Sequence, residues 1–253
     1  GCYGSTGPAS PDPQTGTPYG SSFPHVSISD QATVAGLLLD HLGIDCLHAV
    51  AGPSVGGLAA LTFATNFPER VRTILSVASG IRTTVLNRLI LFEQILAIEN
   101  DPHFQGGDYY DHEHPDLGLA LARMISHKTF VHLDAIERRA RRDVIHQSDS
   151  LSWYQVRDQF QSYMLYQGKK FVSRFDANTY LNLTKALDRF DLHDGQGCLD
   201  SKLSDIQART LAVGFTSDWL YTPKQNREIV EALQRLGKDA SYAEIDHDYG
   251  HDS

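Results

Sequence analysis

The sequence predicts an α/β fold: a mostly parallel sheet covered on both faces by helices, with a block of helices inserted between two of its strands. Three observations carry this. Short apolar runs alternate with helical patterns over the first third of the chain, and the turns between them are short. From Val85 to about Asp191 the pattern turns helical, with no convincing strand. Strand-like runs then return at Thr210–Phe215 and Ser241–Ile245. The sheet core is therefore expected at 1–84 and 205–253, and the helical insertion at 85–204.

Taken in order, Gly1 to Pro24 is rich in Gly, Ser, Thr and Pro and reads as loop, a start in mid-fold. Ile28 to Leu42 carries Val34, Leu37, Leu38 and Leu42 at helical spacing, with Asp30 near its start and Gly43 just past its end. Asp45 to Val50 reads as a short buried strand. A Gly-rich turn follows, then a helix that runs through Leu58 to Asn66 and stops before Pro68. Val71 to Ala78 is the next strand. The insertion is expected to hold helices at Leu86–Glu99, Leu117–His127, Leu133–Arg142, Trp153–Gln167 and Asn178–Phe190, with a polar, aromatic loop at Gly106–Pro115. The last helix, Pro223 to Leu236, is ended by Gly237.

Composition narrows the function classes. The 31 acidic residues outnumber the 22 basic ones, and no basic patch points to a nucleic acid. No apolar run is long enough to cross a membrane, and no signal-peptide pattern opens the chain. Cys2, Cys46 and Cys198 lie far apart without a CxxC pair, which argues against a disulfide framework or zinc site and for a reducing, cytoplasmic compartment. Asp111, His112 and His114 read as solvated loop residues, so no metal site is expected. The Arg138, Arg139, Arg141 and Arg142 cluster reads as a solvated helix face, with a phosphate or coenzyme contact as the alternative.

The chemistry centres on Gly52-Pro53-Ser54-Val55-Gly56, which fits the G-x-S-x-G nucleophile elbow. Such an elbow needs small residues two before and two after the serine, and it aims the hydroxyl outward from a strained turn. The following helix points its free N–H groups at the same spot. A serine hydroxyl needs a base within hydrogen-bond reach, and the base needs an orienting carboxylate. Functional groups gather at the carboxyl ends of parallel strands. Three such ends carry Ser54, Asp218 and His251, in the chain order of an α/β-hydrolase triad, with His247 as the fallback base. The Val55 N–H is the expected oxyanion donor.

These residues belong to a longer set of motifs. Gly1-Cys2-Tyr3-Gly4-Ser5-Thr6-Gly7-Pro8 and Gly16-Thr17-Pro18-Tyr19-Gly20 come first. Gly118-Leu119-Ala120-Leu121-Ala122-Arg123-Met124-Ile125 and Tyr166-Gln167-Gly168 follow. Arg174-Phe175-Asp176-Ala177-Asn178 with Tyr180, Ser217-Asp218-Trp219 and Tyr249-Gly250-His251-Asp252 complete the series. Together they resemble the MetX-type homoserine O-acyltransferases over nearly the whole chain. The resemblance implies an α/β-hydrolase-like core whose serine takes an acyl group from acyl-CoA, acetyl or succinyl, and passes it to L-homoserine in methionine biosynthesis. It implies Ser54 as nucleophile, His251 as general base and acid, and Asp218 as its orienter. Arg174, with Tyr180 beside it, would take the acceptor carboxylate, and Asp252 its ammonium. The insertion would be a lid that also forms a homodimer contact, and acyl-CoA would be a co-substrate with no bound cofactor.

Two departures are visible. The family's elbow reads Gly-Gly-Ser-Met-Gly-Gly, and here Pro53 and Val55 take the second and fourth places. The family's leading strands and first oxyanion-loop motif are missing, and the sequence stops just after His251, so it reads as a partial sequence, incomplete at both ends. Gly1–Ser253 expressed alone is expected to be poorly soluble and inactive. The same triad would serve a serine O-acyltransferase or a serine hydrolase (esterase or thioesterase), and a non-catalytic remnant would keep the elbow for packing alone.

Overall fold

The computed structural model describes residues 4–145, 151, 155–193 and 199–253. The expectations resting on Gly1, Cys2, Tyr3, Trp153 and Cys198 lie outside the described residues. Four parallel strands form one sheet in the order β1 (Val50–Pro53), β2 (Thr73–Val77), β3 (Arg209–Phe215) and β4 (Ala240–Ile245). Helix α2 (Val55–Asn66) crosses from β1 to β2, and α9 (Pro223–Arg235) from β3 to β4. Because all four strands run the same way, their carboxyl ends share one edge. Leu58, Leu61, Ile74, Ile206, Ile229 and Leu233 are fully buried and form the heart of this unit's core.

The chain divides into two compact units. The sheet unit holds Val26–Thr84 and Arg189–Ser253, and the helical unit Gly1–His25 and Val85–Asp188. Both divisions have local causes. The Ser21 N–H and hydroxyl donate to the Asp108 carboxylate at 2.9 and 2.8 Å, which fastens the early loop to the helical unit. Where the chain leaves and re-enters the sheet unit, Thr83 N–H donates to Phe190 O and Leu192 N–H to Ile81 O, so 189–193 stays with the sheet.

Capping residues set several helix ends. Helix α1 (Ile28–His41) starts on a capping box in which Ser27 and Asp30 exchange hydrogen bonds, and Gly43 follows it at φ +68°. Helix α9 starts on a Thr222–Gln225 box with Pro223 in the first turn, and Gly237 follows at φ +71°.

Helix α1 forms where the spacing places it, but residue size rather than spacing sets its buried face; the buried strand expected next to it is corrected. Val34, Leu37, Leu38 and Leu42 are 55–62% exposed. The buried face of α1 is Ile28, Ala32, Gly36 and Leu39, because close approach to α2 selects the small residues: a Cβ on Gly36 would sit 2.8 Å from Phe67. The strand expected at Asp45–Val50 lies mostly exposed and joins the continuous ladder only at Val50; before that, Leu47 alone pairs with Val71 in a single parallel bridge. The Arg70 side chain also holds that stretch, donating to the carbonyls of Ile44 and Asp45 at 2.8 and 2.5 Å.

The helical unit contains α3 (Val85–Glu99), α4 (Asp116–Phe130), α5 (Leu133–Arg139), α6 (Gln159–Val172) and α7 (Ala177–Asp188). A short α8 (Leu199–Ser204), not foreseen, precedes β3 in the sheet unit. Helix α6 begins six residues later than expected and runs five further. Asp158 sets the start, its carboxylate accepting from Phe160 and Gln161 N–H at 2.9 Å. Ile98, Tyr109, Leu119, Phe171 and Leu181 lead the core of this unit.

One buried group makes the helical unit acid-sensitive. His127 on α4 is 4% exposed, its Nε2 is 3.1 Å from the Tyr163 hydroxyl, and its Nδ1 has no hydrogen-bond partner among the described residues. Burial first, then the Arg123 and Arg139 charges, push its pKa from 6.5 down to about 4. The unfolded chain therefore binds this proton before the folded one does. The stabilisation is complete above the unfolded value and is lost as pH falls to the folded value, a span of roughly 3 kcal/mol. His127→Gln is expected to lose less stability than the parent between neutral and acid pH, by about that amount. Urea midpoints of both proteins across this range check it, and parallel curves would refute it.

Candidate active site

The elbow takes the nucleophile's place by backbone geometry. Ser54 follows β1 directly at φ +53°, ψ −121°, a left-handed backbone in a residue with a side chain. Such strain costs of order 1–3 kcal/mol and persists only where the surroundings enforce it. They do so here: Ser54 N–H donates to Val77 O at 2.8 Å, and Ser54 O accepts from Gly57 N–H at 2.9 Å. A Cβ on Gly52 would meet Gly56 backbone atoms at 2.3–2.7 Å. A Cβ on Gly57 would meet Ser76 and Ser79 at 2.6–2.8 Å. At Gly56 the contact met would be an ordinary 3.5 Å to Pro53. Close approach thus demands glycine at 52 and 57, whereas the elbow pattern had placed the demand at 52 and 56. Val55 opens α2, so its N–H has no acceptor one turn back and points outward from the helix start.

The carboxylate and imidazole meet at the carboxyl ends of β3 and β4. His251 Nδ1 lies 2.8 Å from Asp218 Oδ2, with both side chains buried. Asp218 Oδ1 accepts from Leu220 and Tyr221 N–H, both at 2.9 Å. The two loops are tied by Gly250 N–H donating to Ser217 Oγ at 2.9 Å. A carboxylate can only accept, so His251 carries its proton on Nδ1 and offers the Nε2 lone pair as base. His247 packs its ring on Tyr249 at 4.6 Å and has no carboxylate partner among the described residues. Asp252 is exposed, and its carboxylate makes no hydrogen bond or ion pair among the described residues.

In the helical unit, Arg174 and Tyr180 share one aromatic neighbour. The Arg174 guanidinium lies 5.6 Å from the Phe171 ring centroid, and the Tyr180 ring meets Phe171 edge-on at 5.5 Å. Arg174 is exposed and pairs with no carboxylate among the described residues. Tyr180 donates its hydroxyl to Gln94 Oε1 at 2.5 Å and lies 3.2 Å from Ser126 Oγ. Sequence reasoning missed the device beneath them. Asp176 caps α7 through Thr179 N–H at 2.7 Å and accepts from the Tyr109 and Tyr110 hydroxyls at 2.6 and 3.1 Å. Burial and the Asp176 charge raise the Tyr109 pKa well above the usual phenol range, so it stays a donor. An Asp just ahead of a helical run was the available signal. In the polar loop, His114 packs edge-on against Tyr109, and His103 lies 3.2 Å from Glu113. Among the described residues no helix is long and apolar enough to cross a membrane.

The comparisons with known proteins bear on the fold and the family. Residues 1–253 match the family described as alpha/beta hydrolase fold. The chain is 46% identical to the homoserine O-succinyltransferase of Nitrosomonas eutropha, over all of this chain and 67% of the relative. The crystal structure of homoserine O-acetyltransferase from Bacillus anthracis superposes with a TM-score of 0.88 at 29% identity, covering 98% of this chain and 66% of that one. The crystal structure of an esterase gives the same TM-score at 28% identity, covering 98% and 67%. The chain therefore spans about two thirds of the length of each of these proteins.

Proposed function

Because this chain belongs to the homoserine O-acyltransferase family of the α/β-hydrolase fold, we propose that it moves an acyl group from an acyl-coenzyme A to the hydroxyl of L-homoserine, through an ester on Ser54. The observation that carries this is the strained elbow at Ser54, on the strand edge that also bears the buried Asp218–His251 pair. Ser54 Oγ attacks the thioester carbonyl while His251 Nε2 takes its proton, and the Val55 N–H meets the developing oxyanion. Collapse breaks the C–S bond, and His251 returns the proton to the departing thiol. The homoserine hydroxyl then attacks the Ser54 ester, again losing its proton to Nε2. Ser54 leaves as the new ester forms and takes that proton back. The O-acylhomoserine released is a precursor for methionine synthesis.

In the same reading, Arg174 takes the acceptor carboxylate, with Tyr180 beside it, and Asp252 takes its ammonium. An exposed guanidinium with no carboxylate partner among the described residues suits a carboxylate fork. Acetyl-CoA and succinyl-CoA are both candidate donors, since the relatives' names divide between them. The apolar stripe of α3, Val85, Leu86, Leu89, Phe92 and Leu96 at 41–76% exposure, supports a homodimer through the helical unit. Cys46, exposed and in no disulfide among the described residues, suits a reducing cytoplasm.

The deciding experiment separates the half-reactions in the full-length protein, with each donor and with homoserine or serine as acceptor. Arg174→Ala is expected to raise the acceptor KM roughly ten- to a hundredfold, the loss of a charge-assisted bidentate contact, and to leave acyl-enzyme formation near the parent rate. Equal loss of both steps would assign Arg174 to folding. The similarity to an esterase favours one second reading, a hydrolase with water as acceptor. It predicts an acyl-enzyme that decays at the same rate with and without an amino acid.

A further inference from the structure

The sheet unit contains a buried amide that joins the carboxyl end of β2 to the loop holding Asp218. Asn226, on the first turn of α9, is fully buried. Its Oδ1 accepts from Ser79 N–H at 3.0 Å. Its Nδ2 donates to Tyr221 O at 3.0 Å and Thr222 O at 3.1 Å. Every partner is backbone, and each lies at a point the site depends on. Ser79 follows Ala78, a non-glycine residue at φ +47°. It also lines the space that only Gly57 leaves free beneath the elbow. Tyr221 gives its N–H to Asp218 Oδ1, and its ring lies 5.6 Å from the His251 ring at an interplanar angle of 30°.

We infer that Asn226 is the positioning residue of the catalytic carboxylate: it fixes the Tyr221 and Thr222 carbonyls, immediately after the Leu220 and Tyr221 N–H groups that hold Asp218, and ties that loop to the strand end beside the elbow. The inference rests on the triad reading above. An amide suits the place because it accepts once and donates twice without charge. Aspartate would set an acceptor against the Tyr221 and Thr222 carbonyls and bury a second charge near Asp218. Leucine would leave the Ser79 N–H and the Tyr221 carbonyl unpaired in the interior, while the Thr222 carbonyl keeps its bonds from the Gln225 and Asn226 N–H groups.

The test uses the full-length protein with Asn226→Leu, the milder Asn226→Ser, and Asp218→Asn as reference. Proton NMR follows the far-downfield resonance of the His251 Nδ1–H shared with Asp218. Rapid mixing follows both half-reactions. Both Asn226 variants are expected to weaken or broaden that resonance and slow both half-reactions alike, by about a hundredfold for a misplacement near 1 Å, with the acceptor KM unchanged. Circular dichroism identifies which variants are folded at the assay temperature, and Asn226→Ser decides if Asn226→Leu does not fold. A folded Asn226 variant that keeps the resonance and the rates, while Asp218→Asn loses both, would overturn the inference and leave the triad standing. If Asp218→Asn also kept its rates, the triad reading itself would fail and the inference with it.

Discussion

Asp218→Asn is expected to leave the fold intact and cut acyl transfer by about 10⁴-fold, and Ser54→Ala to abolish the acyl-enzyme. The asparagine side chain can still accept from Leu220 and Tyr221 N–H through its oxygen. Its NH₂ would then face His251 Nδ1 at the present 2.8 Å contact, donor toward donor. The imidazole would move its proton to Nε2, the position that must be free to receive the Ser54 proton. It would also lose the negative charge that compensates the imidazolium. Because this fault lies in proton transfer, the acceptor KM should change little. Mass spectrometry after mixing with acyl-CoA reads the Ser54 ester, and steady-state rates read the rest. Turnover within tenfold of the parent in Asp218→Asn, or an acyl adduct surviving in Ser54→Ala, would refute the assignment.

Gly52→Ala is expected to destabilise the sheet unit by about 3 kcal/mol or more, beyond the usual cost of one added methyl in a tight interior. The new Cβ would lie 2.3 Å from the Gly56 carbonyl carbon and 2.4 Å from its oxygen. Backbone atoms at a strained junction cannot move aside as a flexible side chain does. Gly56→Ala is the internal control, since its Cβ would meet Pro53 at 3.5 Å, and alanine is the better helix former by about 1 kcal/mol. In thermal denaturation Gly52→Ala should melt lower by roughly 6–12 °C, while Gly56→Ala stays near the parent. Equal melting points for the two variants would contradict the close approach.

Much of the fold was legible because its signals are local. Ser27 and Asp30 mark the start of α1, and Gly43 its end; Thr222, Pro223 and Gly237 do the same for α9. The elbow was legible because a five-residue pattern at a strand-to-helix junction has few other uses. Less legible was α1's orientation. Its larger apolar residues form one stripe and its small ones another, and period alone favours the larger. Size becomes decisive only when α2 comes within contact distance. The demand for glycine at 57 was hidden for the same reason, since Ser76 on β2 and Ser79 just past its end create it.

The sequence by itself determined the kind and order of the elements, the serine at a strained turn, the chain order of Ser54, Asp218 and His251, and the family resemblance that the 46% identity to a homoserine acyltransferase bears out. Those properties reside in neighbouring residues: a period, a cap, a turn, a motif. Tertiary structure decided which histidine Asp218 meets, which face of α1 is buried, and how the chain divides into two units. It also decided that Asn226 should bond to Ser79, 147 residues away. The physical reason is register. Parallel pairing of β2, β3 and β4 sets these loops side by side, and a one-residue slip would turn every side chain on a strand to the opposite face.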